Sequence, residues 1–383
     1  MVTFRNILED PVFRNAEILC GERGLGNIVG RISVFDCPYE EVLTNKDILR
    51  KGDLFITCLE QFPPYVDENV YDFFQLIIDQ KSAGLFLVGE KGKHNMTEDA
   101  YELCEQSNFP VVYLDVDMPY ALIMDTVNQY ISFDNTNALN IMKIERILYG
   151  REDMEEYRDI LMSIKPTIEP YLAVGYVNGV FSSDLSKAEL YMQFQKYSKD
   201  IVAFSSDATI FIWSDETPEK LQLRRKICLQ KLNEFIQHPK AGLSRIYQRN
   251  NILKALEESR KSMIVAKTLS VSEEFYDPLN TLQLLLAIRD SRWASDFYDS
   301  YMDRLTQNVS KDNLKEMLRT IELYVAHKGA YREVAKEMNQ HENTIRYRIN
   351  RVRGILDMED DPIRFHETIA VAVKLGILLG DNV

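Results

Sequence analysis

Short runs of apolar residues alternate with helix-patterned segments over the first 115 residues of the chain. Four of these runs are rich in Val, Ile, Leu and Phe and are typical of buried strands: residues 31–35, 54–57, 85–88 and 111–114. Helix spacing occupies residues 66–81 and 97–107 between them. Strands that alternate with helices pair in parallel through right-handed crossovers, so the pattern predicts an α/β domain with a parallel sheet.

Residues 119–163 carry helical signals without a strand pattern. Apolar side chains recur there with spacings of four, seven, three and seven, at Val127, Ile131, Ala138, Ile141 and Leu148. The spacing fits the seam of a coiled coil, and it also fits an amphipathic helix that packs on its own chain. We favour the second interpretation because Asp134 and Glu145 occupy seam positions. Both interpretations predict a helical connector between domains.

The middle of the chain returns to strand character. Strands are predicted at residues 171–180, 201–204, 209–213 and 242–247, and helices at residues 221–237 and 252–268. The Ser-Ser-Asp-Ala run at residues 205–208 is typical of a hairpin turn. This order predicts a small α+β domain with a mostly antiparallel sheet.

From about residue 272 the pattern is entirely helical. Helices are predicted at residues 314–326, 331–338 and 342–355, with a tight polar connection, Asn-Gln-His, before the last. In that last helix one apolar stripe is formed by Ile345, Ile349, Val352 and Leu356. The other side is polar and cationic and carries Asn343, Thr344, Arg346, Tyr347, Arg348, Arg351 and Arg353. Two short helices with a small alanine at their crossing, followed by such a face, predict a helix-turn-helix that reads the major groove of DNA.

The net charge of residues 328–353 differs in sign from that of the whole chain. The whole chain has 45 Lys and Arg against 59 Asp and Glu, a net charge of −14, which argues against a protein that coats nucleic acid with its whole surface. Residues 328–353 hold seven cations and three anions, a net +4. Cations that neutralise phosphates release counterions, and arginine also reads guanine edges. The alternative is a solvated face of a helical bundle, but four arginines within eight residues of a short helix are unusual for such a face in an acidic protein.

The sequence gives little evidence for disulfides, metal sites, phosphate-binding loops or membrane spans. The five cysteines, including Cys37, are widely spaced without a C-x-x-C pair, which indicates a reducing compartment without a disulfide framework. There is no secretory signal and no apolar run of about 18 residues, so we expect a cytoplasmic protein. No histidine, His94 included, has metal-ligand spacing, and glycine stretches at residues 21–26 and 89–93 do not match phosphate loops. We therefore expect no metal, no cofactor and no catalytic residues.

At its C-terminal end the sequence resembles the PucR (purine-catabolism regulator) and sugar-diacid regulator family. The likeness spans residues 318–380 and is carried by Leu318-Arg319-Thr320, Tyr324, Ala335, the run HENTIRYRI at residues 341–349, Arg351-Val352 and Asp360-Asp361-Pro362. Glu342 stands where the family usually has arginine, which removes a cation near the DNA. Residues 330–332 also depart from the family, which tends to have Asn-x-Ser/Thr after the preceding glycine.

The resemblance continues along the chain. Residues 24–131, with the run KGDLFIT at residues 51–57, resemble the family's N-terminal regulatory domain. Residues 172–269 resemble a degenerate GGDEF-like domain, with Gly242-Leu243-Ser244 and the run LEESR at residues 256–260 in the expected places. A working diguanylate cyclase needs two glycines and two acidic residues in its hairpin, which residues 205–208 lack, so the resemblance implies a scaffold or dimer contact.

The sequence therefore predicts a multidomain α/β + α protein. The expected divisions are a PucR-type effector-sensing domain at 1–118, a helical linker at 119–165, a degenerate GGDEF-like domain at 166–271, a helical connector at 272–312 and a helix-turn-helix domain at 313–383. DNA contacts are expected from His341, Asn343, Thr344, Arg346, Tyr347, Arg348 and Arg351. An effector is expected at the carboxyl ends of parallel strands, near Thr57, Cys58, Gly89, Glu90 and Asp115.

The function that follows is a metabolite-responsive transcription regulator, which binds double-stranded DNA as a homodimer or higher homo-oligomer and is not an enzyme. The family name suggests a purine-pathway metabolite as the effector. No membrane partner is expected. Two alternatives stay open: an α/β enzyme or nucleotide-binding sensor whose helical tail mediates protein contacts, and an interaction scaffold without DNA contact.

Overall fold

The computed structural model describes residues 1–36, 48–59, 67–90, 96–181, 184–195 and 199–380. The chain divides into two compact units. The first consists of Met1–Leu172, Gly179–Pro239 and Gln248–Ile252, and the second of Ala173–Asn178, Lys240–Tyr247 and Leu253–Val383.

A five-stranded sheet forms the centre of the N-terminal part of the first unit. Its strands are β1 (Glu17–Cys20), β2 (Arg31–Val34), β3 (Asp53–Thr57), β4 (Gly84–Gly89) and β5 (Val111–Asp115). The strand order is β1-β5-β4-β3-β2, with β2 to β5 parallel and β1 antiparallel to β5. The predicted parallel sheet is confirmed. The edge strand β1 was not predicted, because its apolar run is only three residues long and its first two residues are exposed.

Helices cover both faces of this sheet: α1 (Phe4–Leu8), α2 (Asp67–Asp79), α3 (Glu98–Gln106) and α4 (Tyr120–Tyr149). Successive strand residues point to opposite faces. Phe55, for example, packs in a core with residues of α2 and α3, whereas Leu54 and Ile56 pack in a second core with residues of α1 and α4. Strands buried on both faces read as continuous apolar runs, which explains why the sequence pattern identified them.

The helix α4 is 30 residues long and is followed by α5 (Met154–Ile164). Its buried residues are Ile123, Thr126, Val127, Tyr130, Ile144 and Ile147, and α4 packs against α5. Of the predicted seam only Val127 is buried, and Ala138 is exposed. The predicted helices are thus present within the first unit, and the buried residues of α4 pack on the same chain.

The middle of the chain has the elements β6 (Tyr171–Phe181), α6 (Asp184–Gln195), β7 (Ile201–Phe204), β8 (Thr209–Asp215), α7 (Pro218–Leu232), β9 (Ile236–Leu243), β10 (Tyr247–Gln248), α8 (Ile252–Leu269) and β11 (Glu273–Phe275). In the first unit β7 and β8 form the predicted antiparallel hairpin, closed by an N–H of Ser205 that donates to the carbonyl of Ala208 at 2.9 Å. In the second unit β11 pairs in parallel with β9.

Three details of this region correct the sequence analysis. The helix α6 was not predicted, because polar residues interrupt its apolar ones on every face. The strand β9 begins at Ile236, inside the segment predicted as helix, since Asn233 already ends α7. The strand β11 begins the part predicted to be entirely helical; it has three residues and takes its hydrogen bonds from β9.

The rest of the second unit is helical: α9 (Thr281–Leu286), α10 (Arg292–Asn308), α11 (Lys311–Ala326), α12 (Tyr331–Glu337), α13 (Glu342–Ile355) and α14 (Pro362–Leu379). These helices share one apolar core, to which α13 contributes Ile345, Ile349 and Val352. The three helices predicted between residues 314 and 355 are confirmed within a few residues at each end.

Candidate nucleic-acid interface

A tight turn joins α12 to α13. Asn339 adopts φ +51°, a left-handed conformation that asparagine tolerates better than most residues. The N–H of Gln340 then donates to the carbonyl of Ala335 at 2.9 Å, which closes the end of α12. His341 follows as the N-cap of α13, and its Nδ1 accepts the N–H of Asn343 at 3.2 Å. The two helices are therefore fixed relative to each other by the backbone and by one histidine ring.

One face of α13 is fully buried. Ile345, Ile349 and Val352 have no exposed surface and pack in the same core as Val334 and Ala335 of α12. The small side chain of Ala335 permits a close approach of the two helices. Burial of each large aliphatic side chain contributes about 1.5–3 kcal/mol, so this stripe determines which residues of α13 face solvent.

The opposite face of α13 is polar and exposed. Asn343, Thr344, Tyr347 and Asn350 all point away from the core, and Tyr347 is 66% exposed. Asn350 was not among the residues expected to bind DNA. Its position one turn after Arg346 and Tyr347 is the signal that would have identified it.

Arg346 lies at the edge of this exposed face. Its guanidinium pairs with Glu342, NH2 to Oε1 at 2.7 Å, and lies 4.5 Å from the ring centroid of Tyr331. Glu342 is exposed enough to be screened by water, so the pair contributes about 0.3–0.5 kcal/mol. Glu342 therefore orients Arg346 from within the same helix.

Arg348 has a different environment. Its side chain is only 16% exposed, and NH2 lies 2.8 Å from Oε1 of Glu316 in α11. Its NH1 donates to the hydroxyl of Thr320 at 3.3 Å, and Gln340 donates to the same Glu316 oxygen at 2.6 Å. The hydrogen bond from Gln340, followed by that from Arg348, lowers the pKa of Glu316 below its ordinary value. These contacts attach α13 to α11.

The remaining two arginines of α13 also differ. Arg351 is exposed and donates to the backbone carbonyl of Asn308 at 3.2 Å. Arg353 is half-buried, with its guanidinium 4.9 Å from the ring centroid of Phe365. Of the four arginines, Arg346 and Arg351 thus face solvent, whereas Arg348 and Arg353 pack inside the helical domain.

The five residues expected at an effector site lie at one edge of the N-terminal sheet. Thr57 ends β3, Gly89 ends β4 and Asp115 ends β5, and Gly89 pairs in register with Asp115. Cys58 and Glu90 directly follow β3 and β4. The parallel arrangement therefore places these five positions together.

Two of the five are engaged inside the domain. Thr57 is 1% exposed, and its hydroxyl accepts the N–H of Leu59 at 3.1 Å. The carbonyl of Gly89 accepts the hydroxyl of Tyr113 and, at 3.0 Å, the N–H of Val116. Cys58 is partly exposed, whereas Glu90 and Asp115 are exposed, so the edge offers two carboxylates to solvent.

The KGDLFIT run has a structural explanation at the other end of β3. Asp53 is fully buried and accepts two bonds from Arg31, Nε to Oδ1 at 2.9 Å and NH2 to Oδ2 at 2.6 Å. The backbone N–H of Arg50 also donates to Asp53 at 2.9 Å. Gly52, at φ +82°, makes the turn that a side chain would strain.

Within the described ranges, no group of three or more His, Cys, Asp or Glu side chains is placed to hold a metal ion. Cys20, Cys58, Cys104 and Cys228 are free thiols, and no described helix is both long and apolar enough to cross a membrane. Cys37, His94 and residues 91–93 lie outside the described residues.

Comparisons with known proteins identify two regions of the chain. Residues 6–131 match the model of the purine catabolism regulatory protein-like family, PucR, and residues 317–375 match the model of the PucR C-terminal helix-turn-helix domain. No curated protein sequence matches the chain. A solved structure, the regulator of polyketide synthase expression from Bifidobacterium adolescentis, is 16% identical, with 63% of this chain and 98% of that chain covered and a TM-score of 0.30.

At that TM-score the likeness supports no statement about fold. The second family model agrees with the geometry at the C-terminal end, since it covers α12, α13 and the part of α11 from residue 317 onward. The chain therefore carries a domain that matches the PucR regulators at its N-terminal end and the PucR C-terminal helix-turn-helix domain at its C-terminal end.

Proposed function

We propose that the protein regulates transcription in response to a metabolite and that α13 reads the major groove of DNA. The observation that carries this proposal is the exposed polar face of α13, which lies opposite the buried stripe and begins at the N-terminal end of the helix. That end of a recognition helix is the part that contacts base edges. Asn343, Thr344 and Tyr347 are the reading residues, and Asn350 extends the same face.

The arginines of α13 have different roles in this proposal. Arg346 and Arg351 are exposed and contact phosphates or guanine edges. Arg348 positions α13 through Glu316, so its effect on DNA binding is indirect. The Nδ1 lone pair of His341 is used in the N-cap, so the neutral ring carries its proton on Nε2 and that N–H donates to a phosphate.

The effector site belongs to the same proposal. In an open parallel sheet, ligands bind outside the carboxyl ends of the strands. Cys58, Glu90 and Asp115 provide side chains there, while Thr57 and Gly89 shape the edge through internal hydrogen bonds. Exposed carboxylates suit a ligand rich in N–H donors, as purine-pathway compounds are. A thermal-shift series with xanthine, hypoxanthine and urate tests this, and Glu90→Gln should abolish any shift that is found.

The proposal extends to assembly and location. We expect a cytoplasmic homodimer or higher homo-oligomer that binds two half-sites about 34 Å apart on a two-fold operator. The region at residues 166–271 acts as a GGDEF-like scaffold or dimer contact, since the turn at residues 205–208 lacks the glycines and the second carboxylate of a cyclase. The family consists of regulators, and we assign no catalytic role to the chain.

The decisive experiment selects a duplex from a random pool with the full-length protein and measures its affinity by fluorescence anisotropy. Asn343→Ala should weaken binding by about 1–3 kcal/mol and relax selection at one base position. Asn313→Ala, an exposed asparagine in α11 outside the recognition helix, is the matched control and should bind as the parent does. Failure to select any duplex, or equal behaviour of the two variants, would refute the assignment.

A further inference from the structure

A cavity of about 580 Å³ lies inside the helical part of the second unit, separate from the DNA-facing surface of α13. Residues of α9, α10, α11 and α14 line it, among them Leu282, Tyr301, Leu318, Val373 and Lys374. The volume is in the range of pockets that hold small ligands, which span about 300–1,000 Å³. Most of the lining is apolar, so the cavity suits a ligand with an apolar body.

Tyr301 stands in the wall of this cavity with a hydroxyl that is unpaired within the described part of the chain and whose own surface is closed to water, so a ligand reaches this donor only if the wall adjusts. Its side chain is 5% exposed, and its hydroxyl is buried without a hydrogen-bond partner among the described residues. Burial raises the pKa of Tyr301, so the group stays a neutral O–H donor at physiological pH. Buried polar groups are nearly always satisfied, and an orphaned hydroxyl at a cavity points to an acceptor supplied by a ligand.

Lys374 supplies a charge to the same cavity. The residue is half-buried, its ammonium donates to the hydroxyl of Thr281, and no carboxylate among the described residues pairs with it. Arg319 also lines the cavity, but its guanidinium already faces Glu322 at 3.4 Å and Glu337 at 3.5 Å. A partly buried ammonium without a counter-ion favours an anionic ligand group.

We propose that this cavity binds a small organic carboxylate with an apolar body. The carboxylate pairs with the ammonium of Lys374, the apolar body fills the space between α10, α11 and α14, and the hydroxyl of Tyr301 donates to an acceptor on the ligand. This site is distinct from the effector edge of the N-terminal sheet, since all of its lining residues belong to the second unit.

The helix α11 connects the cavity with the recognition helix. It contributes Leu318 and Glu322 to the lining, and Glu316 and Thr320 of the same helix hold Arg348 of α13. Suppose that α11 and α13 move together between two arrangements. A ligand that binds one arrangement more tightly shifts the equilibrium toward it, by a free energy equal to the difference between its two binding free energies. This coupling rests on the proposed function, whereas binding to the cavity does not.

Calorimetric titration of the full-length protein with 2-naphthoate and with its neutral analogue 2-naphthamide tests the site. We expect saturable binding of 2-naphthoate with one ligand per chain. Lys374→Met should weaken 2-naphthoate about tenfold or more and leave 2-naphthamide unchanged, because only the carboxylate loses a charged partner. Tyr301→Phe should weaken binding about three- to tenfold without a loss of thermal stability, because the hydroxyl has no partner to lose in the empty protein.

Two further variants complete the test. Val373→Trp, which fills the cavity, should abolish binding, and Tyr324→Phe, a buried tyrosine of the same core outside the cavity, should bind as the parent does. Absence of saturable binding overturns the proposal. Binding that survives both Val373→Trp and Lys374→Met places the ligand elsewhere and also overturns it.

The coupling between the cavity and DNA binding is tested by a separate measurement of duplex affinity. Saturating 2-naphthoate should change the affinity for a selected duplex at least about fivefold in the parent and leave it unchanged in Val373→Trp. Ligand binding without such a change refutes the coupling and leaves the site intact. If the protein selects no duplex at all, the proposed function fails, while calorimetry still decides whether the cavity binds carboxylates.

Discussion

Replacement of Arg348 by methionine distinguishes a structural role of this residue in supporting α13 from a role in reading a DNA base. If Arg348 supports α13 through Glu316, Arg348→Met should lower the stability of the helical domain and leave base selection unchanged. If it reads a base, the variant should keep its stability and lose selection at one position of the operator. Methionine retains most of the side chain's apolar stem, so the comparison isolates the guanidinium.

The magnitude follows from the contacts. The Arg348 side chain is 16% exposed, and that of Glu316 is 44% exposed. Solvent screening on the Glu316 side limits the ion pair itself to at most about 1 kcal/mol. Loss of the bond to Thr320, and of one partner of a charged group, adds a similar amount, so we expect a total of about 1–2 kcal/mol. Duplex affinity should fall by less than that, because α13 retains its buried stripe.

The assay combines urea unfolding with duplex selection for the parent, Arg348→Met, Glu316→Gln and the double variant. A double-mutant cycle should give a coupling energy of about 0.5–1 kcal/mol. Because the pKa of Glu316 is lowered in the folded protein, its contribution is present above the ordinary glutamate value and is lost as pH falls through the folded-state value. Unchanged stability together with a relaxed base position in Arg348→Met would refute the structural role.

Three further predictions follow from single contacts. Glu342→Gln should raise duplex affinity by about two- to fivefold and steepen its salt dependence, measured by anisotropy at several salt concentrations, because an anion near the phosphates is removed. Asp53→Asn should destabilise the N-terminal domain by about 2–3 kcal/mol in thermal unfolding, since it leaves Arg31 without its bidentate carboxylate; a loss below about 0.5 kcal/mol would contradict this. Burial raises the pKa of Asp200 to about 6, so the folded protein holds this proton more tightly than the unfolded chain; stability should fall as pH rises from about 4 to 7, and Asp200→Asn should flatten that slope in urea unfolding.

The sequence predicted elements best where burial imposes a strong pattern. The strands β3, β4 and β5 are buried along almost their whole length, and their apolar runs identified them. The edge strand β2 is only partly buried and was predicted from the run at residues 31–35. The edge strands β1 and β11 could not be found in the same way. Each is short and at least half of its residues are exposed, and each is held by hydrogen bonds to a partner distant in sequence, β5 or β9. Pairing of that kind leaves no periodic signal in the strand itself.

In helix α13 the sequence determines the angle at which each side chain leaves the helix, but not the partner that the side chain contacts. At 100° per residue, Arg348 and Arg353 lie only about 70° from the centre of the buried stripe, whereas Arg351 lies about 130° from it and Tyr347 almost opposite. A long arginine at about 70° reaches the neighbouring helices, which is where the structure places both side chains. The angle was available from the sequence. The partners, Glu316 and Phe365, were not, because they depend on how α11 and α14 pack.

The burial of Arg348 and Arg353 also lowers the positive charge that this surface presents to DNA. The stretch at residues 328–353 carries seven cations, but two of them, Arg348 and Arg353, are engaged inside the helical domain. Its three glutamates remain, so the surface available to DNA is nearer +2 than the +4 counted from the sequence. A small excess of charge gives weak non-specific binding and a shallow salt dependence. Under the proposed function, affinity then depends more on the neutral face at Asn343, Thr344 and Tyr347, which distinguishes one sequence from another, and on the positive end of the α13 dipole, which positions the helix on the phosphates.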